Sequence, residues 1–535
     1  MERTANIFTP IQRTARVSVP QKASGSTADN LPRAALKAIG WSVPLWLFAS
    51  VWDSEVICIL AALVGGSLAV QWFWKLLAKP YYITHMLPLG GVALTAIFNL
   101  GFLTAWASTR LGMDQDFSQT FGQIGLSFSQ YSIAIFYATL FSLALAGCGT
   151  LTVIRNAENF LAIRLLQIRR MNTFPLVLLL LVCMSLNAFV VLSGLYTYRT
   201  INTEGAAQGH VAWFLPFLDA VFAMQIVGNA LLIYKCIVGR RTRWLGLALA
   251  GMSAASVLFV CFNKGRSDFM LALSLHFFYW CLFSGRRPRV IVLAVLAVFV
   301  YFVVPKVLIV NNFMRTSAFT GNSHKLMALT SATLAFEQLD SNAGVVEEAR
   351  KRALDNFTTR PLVAQPLAKS IALNPAIKEY MLGTNLLVSL AWVVPRVIFD
   401  GKKYLPAQEG LLFRYFPDRI FLQDTSDSIY LYSYADFGWL GIILYPLMIL
   451  MLWSIALFLQ VRLNSAVSIW ALFALWPPLF MLQIGEGSVT AWFVTLRNTL
   501  MFWLIAKIME LLFNVKRPVS SPVLPAHAHT LPRRS

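Results

Sequence analysis

Charged residues, cysteine and histidine are scarce in this chain. Of its 535 residues 13% are charged, and only six are cysteine and six histidine. The histidines are scattered except for His527 and His529 in a proline-rich tail, so no metal site of the usual spacing is predicted. The cysteines all lie in or beside apolar stretches, which argues against a disulfide framework. They are Cys58, Cys148, Cys183, Cys236, Cys261 and Cys281.

Patterns that bind phosphate or nucleic acid are also missing. No Gly-rich loop of the form GxxxxGK followed by Ser or Thr occurs, and no basic patch is interleaved with aromatic residues. These absences argue against ATP hydrolysis and nucleic-acid binding. The stretch up to Pro32 is polar and has no apolar core, so we interpret it as a cytoplasmic tail and not as a cleavable signal.

Hydrophobic residues, in contrast, make up 57% of the chain, and the mean hydropathy is +0.63. Such a composition is typical of a polytopic membrane protein, in this case an all-α one. Because about 20 apolar residues cross roughly 30 Å of hydrocarbon, the sequence predicts twelve transmembrane helices. Their approximate ranges are 35–52, 56–74, 81–107, 132–154, 174–195, 213–238, 244–262, 268–284, 289–310, 437–459, 467–483 and 489–513.

The distribution of charge predicts the topology. The chain has 44 Lys and Arg against 24 Asp and Glu, a net charge of +20. Most of the cations fall in alternate connections, while acidic residues dominate the opposite short connections, as the positive-inside rule requires. Both termini are therefore expected in the cytoplasm. The predicted organisation is a cytoplasmic tail (1–34), helices 1–9 (35–310), a long periplasmic loop with short helices (311–436), helices 10–12 (437–513) and a second cytoplasmic tail (514–535).

One short connection departs from this rule. The stretch FNKGRSDFML (262–271) carries Lys264 and Arg266 on the predicted exterior side, where the positive-inside rule gives no reason for cations. They could form an ion pair with Asp268, which would cap the next helix. Alternatively, they bind an anion at the outer surface of the membrane.

The long exterior loop contains two further helical patterns. The stretch VVEEARKRALDNF (345–357) is amphipathic, and its charges, Arg352 among them, are interpreted as a solvated face. The stretch TNLLVSLAWVVPRVIF (384–399) is apolar but too short to span. It predicts a re-entrant or interfacial helix ending at Pro395, which would hold Arg396 at the depth of the lipid headgroups.

Three segments carry a resemblance to a known family. Residues 360–403 read RPLVAQPLAKSIALNPAIKEYMLGTNLLVSLAWVVPRVIFDGKK. This segment resembles the long periplasmic loop of the O-antigen polymerases, which join oligosaccharide repeat units. The motif KGRSDF is similar to the Gly/Ser-Arg turn that such polymerases carry earlier in the chain. DSIYLYSYADFGWLG (427–441) resembles the segment entering the next span. Related O-antigen ligases have His-Asn where this chain has Asp427 and Ser428, which disfavours a ligase.

The resemblance implies an enzyme that transfers a glycan from undecaprenyl pyrophosphate to a sugar hydroxyl of the next lipid-linked repeat unit. The leaving group is then an anionic lipid pyrophosphate, and arginine binds phosphate oxygens in two places while remaining charged. Neither a metal nor another cofactor is then expected. We expect the pyrophosphate and the glycan to be bound by Lys264, Arg266, Arg315, Arg360, Arg396 and Lys403.

The acceptor hydroxyl would benefit from a general base. The first candidate is Asp427, followed by Asp436 and Glu409, although Asp427 could equally cap a helix, Asp436 begin one and Glu409 be a loop carboxylate. The partners implied by the resemblance are undecaprenyl-pyrophosphate-linked oligosaccharides in the bacterial inner membrane, a chain-length regulator and a flippase, with no nucleic acid.

Two other functions remain open from the residues. Exterior acidic pairs, Asp53 with Glu55 or Asp114 with Asp116, have the form that holds a divalent metal in glycosyltransferases that use polyprenyl-phosphate sugars. Transport of a lipid-linked glycan would instead require ionisable groups within the spans. The nearest candidates for that role are Asp219, His276 and Glu510.

Overall fold

A computed structural model describes the protein over 31–77, 86–110, 126–158, 173–192, 215–238, 243–264, 364–373, 380–394 and 428–461, together with scattered positions in 272–283, 399–412 and 489–504. The described residues form helices and contain no strand. The predicted all-α class is therefore confirmed for this part of the chain.

Twelve α-helices organise the described residues. The N-terminal helices are α1 (Leu31–Gly40), α2 (Ser42–Val51), α3 (Glu55–Leu77), α4 (Met86–Arg110) and α5 (Phe128–Cys148). Three further long helices are α6 (Thr173–Leu192), α7 (Leu215–Val238) and α8 (Arg243–Lys264). The C-terminal described part contains α9 (Ala364–Leu373), α10 (Thr384–Val393), α11 (Ile429–Phe437), a 3-10 turn (Gly438–Leu440) and α12 (Gly441–Val461).

Five helical segments in the described residues are long and apolar enough to cross a membrane. They are Leu31–Val51, Glu55–Leu76, Met86–Thr104, Phe128–Cys148 and Ile429–Leu459. Helices α6, α7 and α8 also lie where spans are predicted, with shorter apolar cores. The predicted spans at 289–310 and 467–483 lie outside the described residues. A membrane-embedded protein is thus supported, while the count of twelve spans stays a prediction.

The first predicted span is divided into two helices. Helix α1 ends at Gly40 and α2 begins at Ser42, with Trp41 donating its main-chain N–H to Ala38 O at 3.2 Å. Pro44 has no N–H to donate to the carbonyl of Gly40, four residues earlier, and its ring is tolerated only in the first turn of a helix. The interruption therefore lies where the proline requires it.

Helix α5 is the centre of one packed group, in which α2, α4, α9 and α12 surround it. Its first turn has a capping box, because Ser127 Oγ accepts from Gln130 N at 3.2 Å and Gln130 Oε1 accepts from Ser127 N at 3.0 Å. Gly91 brings α4 against α5: a Cβ at this position would collide with Ser142 O and lie 2.9 Å from the Cβ of Ala146. Close backbone contact of this kind is how apolar helices associate in membranes.

Helices α6, α7 and α8 pack on one another and form a second group. Their contacts include the buried polar side chains of Asn187, Gln225 and Ser253.

Candidate functional site

The two C-terminal segments that carry the family resemblance meet in the structure. Main-chain N–H groups of Met381 and Leu382 donate to the carbonyl oxygens of Ala435 and Asp436, both at 2.9 Å. The turn that precedes α10 is thereby fixed to the last turn of α11. These contacts join residues more than fifty positions apart, so hydropathy along the chain does not predict them.

Two glycines make this close approach possible. Gly383 has φ +83° and Gly438 has φ +56° with ψ −134°, conformations that L side chains rarely adopt. A Cβ on Gly383 would lie 3.1 Å from Cζ of Phe437, and one on Gly438 would lie 2.5 Å from the hydroxyl oxygen of Tyr380. Leu382, beside Gly383, also has a positive φ, +47°.

The second glycine of the GWLG sequence serves a different contact. A Cβ on Gly441 would collide with Ser433 O and lie 2.6 Å from the hydroxyl oxygen of Tyr137. That hydroxyl lies 2.9 Å from Ser433 Oγ and donates to Gly438 O at 3.1 Å. The Gly-x-x-Gly pair is therefore explained by packing: it lets Tyr137 of α5 bind the main chain between α11 and α12.

Asp436 lies at the centre of the junction and is fully buried. Its Oδ2 accepts a hydrogen bond from the Tyr445 hydroxyl at 2.6 Å, and its Oδ1 accepts from the main-chain N–H of Asn385 at 3.3 Å. Asn385 is in the first turn of α10, where N–H groups have no partner within the helix. The carboxylate of Asp436 therefore caps α10 from a distant part of the chain.

These contacts bear on the predicted role of Asp436. A general base must lie within hydrogen-bond reach of the proton that it removes, whereas both oxygens of Asp436 bind protein groups and the side chain has no exposed surface. The geometry favours a positioning role. Asp436 is in α11, followed within two residues by the 3-10 turn, so it does not begin a helix.

Sequence reasoning missed most of the groups around this carboxylate. Tyr445, Tyr137 and Asn385 were not among the candidates, although the alternating tyrosines of IYLYSYADF signal buried hydroxyl groups. Tyr430, Tyr432 and Tyr434 are indeed buried together with Tyr445. Buried tyrosine hydroxyls usually have a hydrogen-bond partner. The acidic residue in the same stretch, Asp436, was the available indication of such a partner.

The first acidic pair is engaged in protein contacts. Asp53 Oδ1 accepts from the main-chain N–H of Ser129 at 2.9 Å, at the start of α5. Glu55 accepts two hydrogen bonds from Arg110 Nη2, at 2.7 and 2.9 Å, and one from Trp106 Nε1 at 2.6 Å. The described residues contain no group of three or more His, Cys, Asp or Glu side chains that could hold a metal. Asp114 and Asp116 lie outside the described residues.

A buried, uncharged polar seam joins α6, α7 and α8. Asn187 Nδ2 donates to Gln225 Oε1 at 2.6 Å. Gln225 Nε2 in turn donates to Ser253 Oγ at 2.7 Å and to Ser256 Oγ at 2.9 Å. Among the described residues Asn187 Oδ1 has no hydrogen-bond partner. Such side chains join helices within a membrane.

One transport candidate lies beside this seam. His276 Nδ1 is 2.7 Å from Ala272 O, and its Nε2 is 3.2 Å from Nδ2 of Asn229. Since a carbonyl only accepts, these partners assign the proton to Nδ1 and make Nε2 the acceptor. Asp219 lies in helix α7, and Glu510 lies outside the described residues.

A buried carboxyl group that the sequence did not single out lies outside the five candidate spans. Glu158 is fully buried, accepts from Trp453 Nε1 at 2.9 Å and receives the main-chain N–H of Met86 at the start of α4. Its Oε2 has no hydrogen-bond partner among the described residues. Burial raises the pKa of Glu158 to about 8, while these hydrogen bonds lower it by less.

Most of the predicted site residues cannot be placed beside the Asp436 junction. Lys264 is the last residue of α8. The remaining candidates lie outside the described residues: Arg266, Arg315, Arg360, Arg396, Lys403, Asp427 and Glu409. Their roles stay predictions.

Comparisons with family models, curated proteins and solved structures give no match for this chain.

Proposed function

We propose that the protein is a polysaccharide polymerase that joins undecaprenyl-pyrophosphate-linked oligosaccharide repeat units at the outer face of the bacterial inner membrane. The proposal rests on the resemblance to O-antigen polymerases, on the helical, membrane-embedded architecture and on the Asp436 junction. The bilayer, the lipid-linked oligosaccharides, a flippase and a chain-length regulator are its proposed partners.

The junction is the structural observation that most favours this function. Two segments picked out by the resemblance, separate in sequence, are bound through Met381, Leu382 and the carboxylate of Asp436. A buried carboxylate at a helix N-terminus and two glycines with positive φ require a defined local geometry.

The proposed reaction is a glycosyl transfer with inversion. The acceptor hydroxyl oxygen attacks the anomeric carbon of the donor glycan, the bond from that carbon to the pyrophosphate oxygen breaks, and the hydroxyl proton passes to a general base. The electron pair leaves with undecaprenyl pyrophosphate. Negative charge therefore grows on the leaving group, and cations held at the height of the headgroups would stabilise it.

Arginines of the exterior connections are proposed to supply this stabilisation. Arg266, Arg315, Arg360 and Arg396 are the candidates, and Lys264 and Lys403 would add point charges. Loss of one well-placed donor typically costs about 2.7–4 kcal/mol of transition-state stabilisation. For the general base we retain Asp427 and Glu409, and we assign Asp436 to positioning because its oxygens are occupied.

The proposal is tested with purified protein in nanodiscs that receives undecaprenyl-pyrophosphate-linked repeats from the native host. We expect a product ladder spaced by one repeat, both with and without EDTA. Arg266→Ala and Arg396→Ala should abolish the ladder without loss of membrane insertion, whereas Arg352→Ala serves as the matched surface control and should leave it unchanged. Wild-type activity of the Arg266 variant would overturn the assignment of that residue.

The same assay addresses the other functions. Loss of the ladder in EDTA would favour the metal-dependent transferase, although the ion pair of Glu55 with Arg110 weighs against its first acidic pair. Single transfer to a lipid A acceptor would indicate a ligase-like enzyme. Transport is a second candidate, favoured by the polar seam and His276, and it predicts movement of the lipid-linked glycan across vesicles without any ladder.

A further inference from the structure

Helix α10 buries two polar side chains and exposes two leucines, an arrangement unusual for a helix on a water-soluble protein. Asn385 and Ser389, four residues apart, are fully buried. Leu387 is 68% exposed and Leu390 is 48% exposed. Positions three and four apart share a helix face, so Asn385 and Ser389 face the protein together with Val393, whereas Leu387 and Leu390 face outward.

Water is a poor environment for this arrangement. Burying apolar surface stabilises a protein in water by about 25 cal/mol of free energy for each Å², and surface left exposed does not contribute this stabilisation. Large apolar side chains such as the two leucines normally point into the core. In hydrocarbon the preference is opposite, because polar side chains must be hidden and leucine is favoured. This arrangement therefore indicates an apolar environment on the outer side of α10.

The turn before α10 repeats the pattern. Leu382 is 79% exposed although its φ is +47°. A left-handed conformation costs an L residue roughly 1–2 kcal/mol, which Gly or Asn would largely avoid. The turn thus holds a leucine outward in a conformation that disfavours leucine, and its position is fixed by the hydrogen bond from Leu382 N to Asp436 O.

The exposed apolar surface continues onto a candidate span. Trp439 and Leu440 follow Asp436 closely in the chain and are exposed, as are Ile443, Leu444 and Leu447 on α12. Helix α12 belongs to the apolar segment Ile429–Leu459, which is long enough to cross a bilayer. The surface of α12 that would face lipid therefore begins beside the turn that carries Leu382.

We propose that Leu382, Leu387 and Leu390 insert into the hydrocarbon of the bilayer, with acyl chains of membrane lipids as their contact. Ten residues of α-helix extend about 15 Å, so α10 enters the membrane without crossing it. Asp436 anchors the inserted helix to α11 through the N–H group of Asn385. This inference stands without the polymerase proposal, because it concerns only the contact between α10 and lipid.

The test uses variants that each add one cysteine to the chain, Leu382→Cys, Leu387→Cys and Leu390→Cys, each spin-labelled in nanodiscs. Collision rates are measured with oxygen, which concentrates in hydrocarbon, and with a water-soluble nickel chelate. Leu447→Cys is the matched lipid-facing control and Tyr404→Cys, which follows a polar stretch, is the comparison outside the spans. Wild type treated identically gives the labelling background of the native cysteines.

We expect all three labels to resemble the label at position 447, with oxygen collisions exceeding nickel collisions. Dominant nickel collisions at positions 382 and 387 would overturn the proposal, and so would labels that neither reagent reaches, because protein would then cover the face. A photo-crosslinking amino acid at position 387 separates the occupants: adducts with bulk phospholipid support the proposal, while adducts with a second copy or solely with a prenyl lipid contradict it.

Discussion

At the scale of single residues, Asp436 shows how one buried carboxylate can serve the fold and the proposed site together. It accepts hydrogen bonds from Tyr445 and from the main chain of Asn385. Removing the acceptor would leave both donors unsatisfied, and each buried unsatisfied group costs about 1–3 kcal/mol. The side chain should therefore be sensitive to loss of its oxygens more than to loss of its charge.

We predict that Asp436→Ala lowers both thermal stability and polymerisation. Asp436→Asn should retain most of both, because its amide oxygen can still accept from the main-chain N–H of Asn385 while its NH2 group donates to the hydroxyl oxygen of Tyr445. Tyr445→Phe is the matched control, since it removes one donor and should cost less than Asp436→Ala. Thermal unfolding in detergent is measured beside the product ladder. An Asn variant that is as stable as wild type but inactive would make Asp436 the general base after all.

Glu158 gives a second prediction, on pH. Its pKa is about 8 in the folded protein against an ordinary value of 4.5, so between these values the unfolded chain has released a proton that the folded protein retains. The contribution of Glu158 to the free energy of unfolding is therefore fully present below pH 4.5 and is lost as the pH rises through 8. Glu158→Gln keeps an acceptor for Trp453 and has no proton to lose. The melting temperature of wild type should therefore fall relative to this variant from pH 5 to 9; parallel curves would contradict the raised pKa.

At the scale of helices, the sequence predicted positions well and contacts poorly. Apolar length located α3 and α8 to within a few residues, and Pro395 indicated the end of α10. Hydropathy could not reveal that α10 buries Asn385 and Ser389, because the segment is apolar on average. The junction of α10 with α11 depends on main-chain hydrogen bonds and on Gly383 and Gly438, whose partners are distant in the chain.

Helix contact by small residues leads to a prediction for the first packed group. Gly91→Ala should destabilise the protein, because the added Cβ collides with the main-chain oxygen of Ser142 in α5. Gly147→Ala is the matched control: nothing lies within 4 Å of its Cβ position, and alanine is the better helix former by up to about 1 kcal/mol. Melting temperatures in detergent should fall for the first variant and stay level or rise for the second. Equal changes would mean that α4 and α5 do not depend on this contact.

At the scale of the whole molecule, the proposed pyrophosphate site requires that its arginines lie on the exterior side of the membrane. Cations that follow the positive-inside rule are explained by topology, so only the exterior ones need another reason. Helix α10 and Asp436 both lie within the long loop (311–436) that is predicted to face outward, Asp436 being its last residue. If that loop lay in the cytoplasm, the arginines proposed for pyrophosphate binding would be ordinary topological charges.

The topology is therefore the property on which the proposed function most depends, and we predict it from the net charge of +20 and its distribution. Green fluorescent protein fused after Ser535 should fluoresce, because it folds in the cytoplasm. Alkaline phosphatase, which needs the periplasm, should be active after residue 116 and after residue 350 but inactive after residue 241. Immunoblots of each fusion control for expression. Active phosphatase after residue 241 together with an inactive fusion after residue 350 would reverse the orientation, and the exterior arginines would then have no lipid pyrophosphate to meet.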